Sequence, residues 1–251
     1  MGGAARLPRY CGPDATALTL HMYIRGIGTA APARRYTKAE CLDAFRRSDW
    51  YARLDARSHV IARTVLQRDN GIEARRLALD SLDEVFAIDP DTLAARFRTH
   101  APALAAEAAE RALVAAALRR GEVDAVVIST CTGYLCPGLT SYVGERLQLR
   151  ADVLALDLVG QGCGAAIPNL RTAEALLRAG RARRVLSVCV EVCSAAFFFD
   201  NDPGVLISGC LFGDGAGAAV LALEPNGKLN PREYERELAR LHVGVASLMF
   251  P

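Results

Sequence analysis

Apolar and polar positions change rhythm along this chain, and the changes mark out its elements. Tyr23–Gly28 (YIRGIG) alternates, which predicts a short strand ending in glycine. Thr37 and Glu40 have capping-box spacing and open a helix through Cys41, Leu42 and Phe45. Residues 51–90 mix arginine with apolar positions and predict further short helices. Pro102 stands near the start of a predicted Ala/Leu helix that runs to Arg120 and stops at Gly121. Beyond it the β-branched run VDAVVIS (Val123–Ser129) predicts a buried strand. A loop with glycine and proline follows, then a helix near 139–148, a strand Val153–Leu158, and a helix over 164–179 closed by Gly180. Val185–Val192 and Ala216–Leu223 are continuous apolar strands, the second stopped by Pro225. Strands alternating with helices predict an α/β fold, a sheet with helices on its faces.

Composition narrows the function. Of the 251 residues 51% are hydrophobic and 23% charged, which excludes intrinsic disorder and predicts a packed core. Thirty basic and 28 acidic residues leave a net charge of +2, so no electrostatic case exists for nucleic acid or an anionic membrane. The first twenty residues lack the uninterrupted apolar stretch of a secretory signal, and no run of about 18 apolar residues is present to span a bilayer. A cytoplasmic protein with free thiols is expected. Eight cysteines include no C-x-x-C pair and no histidines at zinc-like spacing, so neither a metal site nor a disulfide framework is expected. Three segments are expected: a loose extension over 1–22, one domain over 23–225, and an atypical tail over 226–251 with a charged helical middle and an apolar end.

The most informative segment is LDLVGQGCGAAIPN, residues 156–169. A strand runs into a glycine-rich turn, and Cys163 stands where the next helix begins. Unpaired N–H groups at a helix N-terminus carry partial positive charge and favour a thiolate. Flanking glycines permit the sharp turn and the close approach of a substrate. Such a thiolate is equipped for acyl transfer, because a thioester exchanges readily with an attacking sulfur. Spacing alone serves equally well a tight turn holding an inert cysteine.

That segment resembles the nucleophile motif of the type III polyketide synthases, the chalcone and stilbene synthase superfamily. The resemblance extends upstream to STCTGYLCPGLTSYVGERLQL (Ser129–Leu149) and downstream to LFGDGAGAAVL (Leu211–Leu221), covering about residues 23–225 in order. The stretch Cys193–Ala216 is similar to the bacterial branch. The resemblance implies a thiolase-like fold, here the N-terminal half with a mixed sheet covered by helices. It implies acyl-CoA and malonyl-CoA as substrates, no other cofactor, and a homodimer in the full-length family. Cys163 becomes the nucleophile that takes the starter acyl group. Phe212 falls on the gatekeeper between the CoA tunnel and the acyl cavity. Cys131 and Thr132 fall where starter choice and cavity shape are tuned. Cys136 takes the position of a methionine that reaches into the neighbouring subunit's cavity, and Cys136–Pro137 is a candidate cis peptide. Asp214 and its glycines read as a structural turn. Arg63 and Arg68 lie in the region that holds CoA, off the usual positions, and a solvated basic face explains them as well. The glycines at 213–217 also fit a loose dinucleotide pattern, but a strand follows them, so a nucleotide fingerprint is rejected.

The family site is a Cys–His–Asn triad. Its imidazole and amide stabilise the enolate of malonyl-CoA and the thioester oxyanion. The expected His-Pro-Gly-Gly-like and Gly-Asn-Met-Ser-like contexts are not in this sequence, and His242, Asn226 and Asn230 match neither. The expectation is therefore a truncated synthase, inactive or limited to slow self-acylation. Two alternatives are a condensing enzyme like 3-oxoacyl carrier-protein synthase III, and a non-catalytic fragment that works through a partner.

Overall fold

A computed structural model describes residues 21–223. The first strand, β1 (Tyr23–Ala30), is followed by a ribbon strand β2 (Arg35–Thr37) and three short helices, α1 (Lys38–Arg47), α2 (Asp49–Ala52) and α3 (Ala56–Gln67). The expected capping box opens α1: Thr37 accepts from the Glu40 N–H while Glu40 accepts from the Thr37 N–H. Strand β3 (Ala74–Arg76) pairs with β2, and a 3₁₀ turn at Leu82–Phe86 leads to the long helix α4 (Pro90–Ala115). Then come β4 (Ala125–Thr130), α5 (Leu139–Leu147), β5 (Leu154–Val159), α6 (Ala166–Arg178), β6 (Val185–Val192), α7 (Pro203–Leu211) and β7 (Asp214–Ala222).

The main sheet has the order β1-β7-β6-β4-β5. β4 runs parallel to both β5 and β6, whereas β7 is antiparallel to both β1 and β6. Side chains alternate between its faces. Val126, Ile128, Leu186, Val188, Ala218 and Val220 meet α4 and α5 on one side; Ala125, Val127, Val185, Ala219 and Leu221 meet α6 on the other. Burial on both faces is why these strands read as continuous apolar runs. A separate aromatic cluster joins α1, α3 and α7, with Phe45, Phe86 and Phe199 rings 5.2–5.9 Å apart.

Four features depart from the sequence reading. Pro102 lies inside α4, whose true start is Asp89: its carboxylate accepts from the Thr92 N–H at 2.9 Å, and Pro90 holds the first turn. The same helix ends early, because Ala117 takes a left-handed φ of 53° and Leu118 N–H reaches back to the Leu113 carbonyl, closing a Schellman turn. Helix α7 was hidden in an apolar run, although Asp202–Pro203 signalled its start by the same cap chemistry. Asp214 is no turn residue. It opens β7 as a buried carboxylate that accepts from Ala78 N–H, Ser194 N–H and Ser194 Oγ at 2.6–2.8 Å. The residues expected as the extension before Met22 and the tail from 226 lie almost wholly outside the described residues.

α4 rests on the sheet at backbone distance. A methyl group at Gly28 would overlap the Ala108 carbonyl oxygen and the Ala112 nitrogen, and Gly26 is as tightly placed against Ala112 and Ala116. Only small residues permit this, which explains the alanines along the buried face of α4. Gly28→Ala is therefore expected to destabilise the fold by about 3 kcal/mol, the upper part of the usual overpacking range. Urea denaturation followed by circular dichroism measures it.

Candidate active site

Parallel pairing brings the ends of β4, β5 and β6 to one edge of the sheet. Thr130 lies opposite Val159 in the ladder, and the Gly160 N–H continues it by donating to the Thr130 carbonyl at 3.0 Å. The chain then turns through Gly160 and Gly162, whose φ angles of 75° and 67° suit glycine. Cys163 follows in a single 3₁₀ turn, Gly162–Gly164, just ahead of α6, and it is exposed. No side chain caps α6, so the polar environment at its start is backbone.

Beside it, Cys131 and Thr132 leave the end of β4 and meet Glu191 of β6. The Glu191 carboxylate accepts from the Cys131 N–H at 3.0 Å and from Thr132 Oγ1 at 2.7 Å, while Thr132 Oγ1 accepts from the Val192 N–H at 2.9 Å. Burial pushes the Glu191 carboxyl above the ordinary range, against the opposing pull of the Thr132 hydroxyl and the Cys131 N–H. The Cys131 thiol is pushed up to about 12 by desolvation, by the Glu191 charge and hydrogen bond, and by Cys163 nearby. Cys193, just past β6, is buried and its thiol is raised by desolvation.

Phe212 stands at the same edge, because β7 starts where β6 ends: Val192 lies opposite Asp214. It caps α7 and is half-buried against the aromatic cluster. Its carbonyl and that of Gly209 accept from the buried Arg75 guanidinium at 3.1 and 2.7 Å. Cys136 is exposed in the loop after β4, and the Cys136–Pro137 peptide is cis, as expected. Asp157 of β5 secures the far end of that loop by accepting from Thr140 N–H and Oγ1 at 3.1 and 2.5 Å.

The structure brings Cys163, Cys131, Thr132 and Phe212 to one edge and leaves the two arginines elsewhere. Arg63 is exposed on α3 and donates to the His59 carbonyl at 3.2 Å. Arg68 ends that helix, its carbonyl accepting from Lys38 Nζ. The His59 ring pairs with the Tyr51 carbonyl at 2.8 Å, and His100 lines a cleft with Arg34, Asp80 and Glu107. Among the described residues, no side chain hydrogen-bonds the Cys163 thiol, and no cluster of histidine, cysteine and carboxylate could hold a metal ion. His242, Asn226 and Asn230 lie outside the described residues. No described helix is long and apolar enough to cross a membrane. Glu191 escaped the sequence reading, although a lone carboxylate in the apolar run VLSVCVEV was its signal.

Residues 30–250 match the family model described as FAE1/type III polyketide synthase-like protein. Among curated proteins, the alpha-pyrone synthesis polyketide synthase-like Pks18 of Mycobacterium tuberculosis is 33% identical over 215 residues, covering 83% of this chain and 53% of Pks18. The 1,3,6,8-tetrahydroxynaphthalene synthase of Streptomyces peucetius is 29% identical, covering 85% of this chain and 55% of its own. Among solved structures, the C-terminal type III polyketide synthase domain of Steely1 from Dictyostelium is similar with a TM-score of 0.71 at 25% identity, covering 82% of this chain and 58% of that one. PKS-I from the brown alga Ectocarpus siliculosus shares the fold with a TM-score of 0.74 over 83% of this chain and 58% of its own, at 24% identity. The chain spans about half the length of the curated relatives it matches.

The raised Glu191 carboxyl makes a signed prediction. A carboxyl with a higher pKa folded than unfolded binds more protons in the folded state between the two values. Its contribution is then complete below the unfolded value and is lost as pH rises through the folded one. Measured across that window, the melting temperature of the native chain relative to that of Glu191→Gln should fall as pH rises.

Proposed function

The chain belongs to the FAE1/type III polyketide synthase-like family, and we propose that it supplies the acyl-accepting half of a condensing site, with Cys163 as the nucleophile. One observation carries this: an exposed cysteine on a double-glycine turn at the carboxyl edge of parallel strands, where open α/β sheets place their ligands. The described residues form a thiolase-like α/β unit, and its solved neighbours are type III polyketide synthases.

In the loading step, the Cys163 sulfur attacks the carbonyl carbon of an acyl-CoA thioester. A new C–S bond forms, the bond to coenzyme A breaks, and the departing sulfur takes up the proton that Cys163 gave up. In the extension step, malonyl-CoA loses carbon dioxide and its enolate carbon attacks the acyl–Cys163 carbonyl, expelling the Cys163 sulfur. Return of the lengthened chain to Cys163 repeats the cycle, and cyclisation ends it. Cys131 and Thr132 border the acyl group beside the nucleophile, and Phe212 lies between that space and the CoA path. Cys136 faces a second subunit of a homodimer. Arg63 and Arg68 attract the CoA phosphates at longer range from their exposed helix. The imidazole and amide that steady the enolate and the oxyanion are not among the described residues. The nucleophile for loading is the part of the condensing site that the described residues supply.

Incubation with acyl-CoA should add one acyl mass to the chain, mapped by peptide mass spectrometry to Cys163, lost in Cys163→Ala and kept in Cys131→Ser. With malonyl-CoA added, polyketide formation by the 251-residue chain alone should trail that of a full-length relative by at least ~10²–10⁴, the weight of one positioned acid–base group. Turnover at the relative's rate would overturn the division of labour. Preferential loading from acyl carrier protein would move the assignment to the carrier-protein synthases.

A further inference from the structure

We propose that Asn169 is a positioning residue for Cys163. Its carboxamide sets the depth and rotation at which α6 meets the sheet, and so holds the Cys163 turn at the strand-end edge. This rests on the reading of Cys163 as the acyl-accepting thiol.

Asn169 closes the segment that singled out Cys163, and it is fully buried on the face of α6 that touches the sheet. Its Nδ2 lies 3.2 Å from the Val127 carbonyl oxygen, 2.9 Å from that of Val188 and 3.1 Å from Ser129 Oγ. Two amide protons thus serve three acceptors on two parallel strands, β4 and β6. Its Oδ1 accepts from Ser187 Oγ at 2.8 Å, and Ser129 Oγ donates onward to Cys189 Sγ at 3.2 Å. Both serines are buried, at 0% and 4% exposure; if the amide leaves, Ser187 Oγ loses the acceptor it has here, while Ser129 Oγ keeps Cys189 Sγ.

The other contacts of α6 with the sheet are apolar: Leu170 beside Asn169, then Ala173, Leu176 and Leu177 further along the helix. Apolar contact is non-directional and tolerates a small slide or rotation. The start of α6 has no side-chain cap, and its first residues, Ala166, Ile167 and Pro168, carry no side-chain hydrogen-bonding group. Among the described residues, Asn169 is therefore the directional lock between the sheet and the first turn of α6, the turn that follows directly from Cys163. A leucine would bury as much surface there; a carboxamide locked to two strands specifies a single docking position.

The test compares Asn169→Leu with the triple variant Asn169→Leu/Ser129→Ala/Ser187→Ala, in which the amide and both hydroxyls leave together. The Val127 and Val188 carbonyls and the Cys189 thiol still lose a partner, so the triple variant should lose less stability than Asn169→Leu but not none. Iodoacetamide alkylation of Cys163 is followed by peptide mass spectrometry, with exposed Cys136 as the internal reference. The triple variant should melt above Asn169→Leu and shift the Cys163 alkylation rate about fivefold from the native one, with Cys136 unchanged, because the surroundings that set thiol reactivity change when the turn leaves its fixed place at the strand ends. A folded triple variant with the native Cys163 rate overturns the proposal. Ser187→Ala removes one strut without emptying the helix face, and should shift the Cys163 rate about twofold. If the larger variants do not fold, an unchanged rate in Ser187→Ala overturns the proposal instead. Loading of the native chain with acyl-CoA is measured in parallel. A shifted Cys163 rate in the variants without any native loading would defeat the nucleophile reading and leave the positioning role standing.

Discussion

β4 pairs in parallel with a strand on either side, and the chemistry of this protein depends on that arrangement. Parallel neighbours end at the same edge, so Cys131 after β4, Cys163 after β5 and Glu191 near the end of β6 meet although they are dispersed in sequence. A parallel pair requires a crossover on a face of the sheet. Here α5 and α6 provide them, on opposite faces, and α6 thereby becomes the helix that starts at the nucleophile turn. Antiparallel β7 then delivers Phe212 to the same edge from the other direction.

The two faces are secured by different physics. On one, α4 approaches β1 so closely that glycines and alanines form the contact, and a single methyl group is too many. On the other, α6 is held by apolar packing along its length and by one buried amide near its start. The first is a steric fit that sets distance; the second is directional and sets register. Register matters more beside Cys163, because the turn that carries it leads straight into the first turn of α6.

Polar groups at the strand ends show the same economy. Glu191 is held by Cys131 and Thr132, and Asp214 by Ala78 and Ser194. Each buried carboxylate ties one strand end to a neighbouring loop, and burial raises the pKa of both. Their donors are backbone N–H groups and hydroxyls, so their positions survive only as long as the loops around them stay folded.

Much of this was legible in the residues. The Thr37–Glu40 capping box, the β-branched runs of β4 and β6, Gly180 closing α6 and the glycine turn before Cys163 all rest on local chemistry, and all stand in the structure. Helix α7 went unpredicted because its apolar run lacks period, and the start of α4 was misplaced because Pro102 imitated a start signal that Asp89–Pro90 supplies. Glu191 and Asn169 could be seen as polar residues in apolar stretches, but their partners could not. Those partners lie on other strands, and only sheet order and register decide which strands are neighbours. The sequence by itself therefore determined the elements, the nucleophile turn and the family resemblance, since each is written in residues close together along the chain. Tertiary structure alone decided which side chains face Cys163 and what holds it there, since hydrogen bonds between strands depend on distance in space.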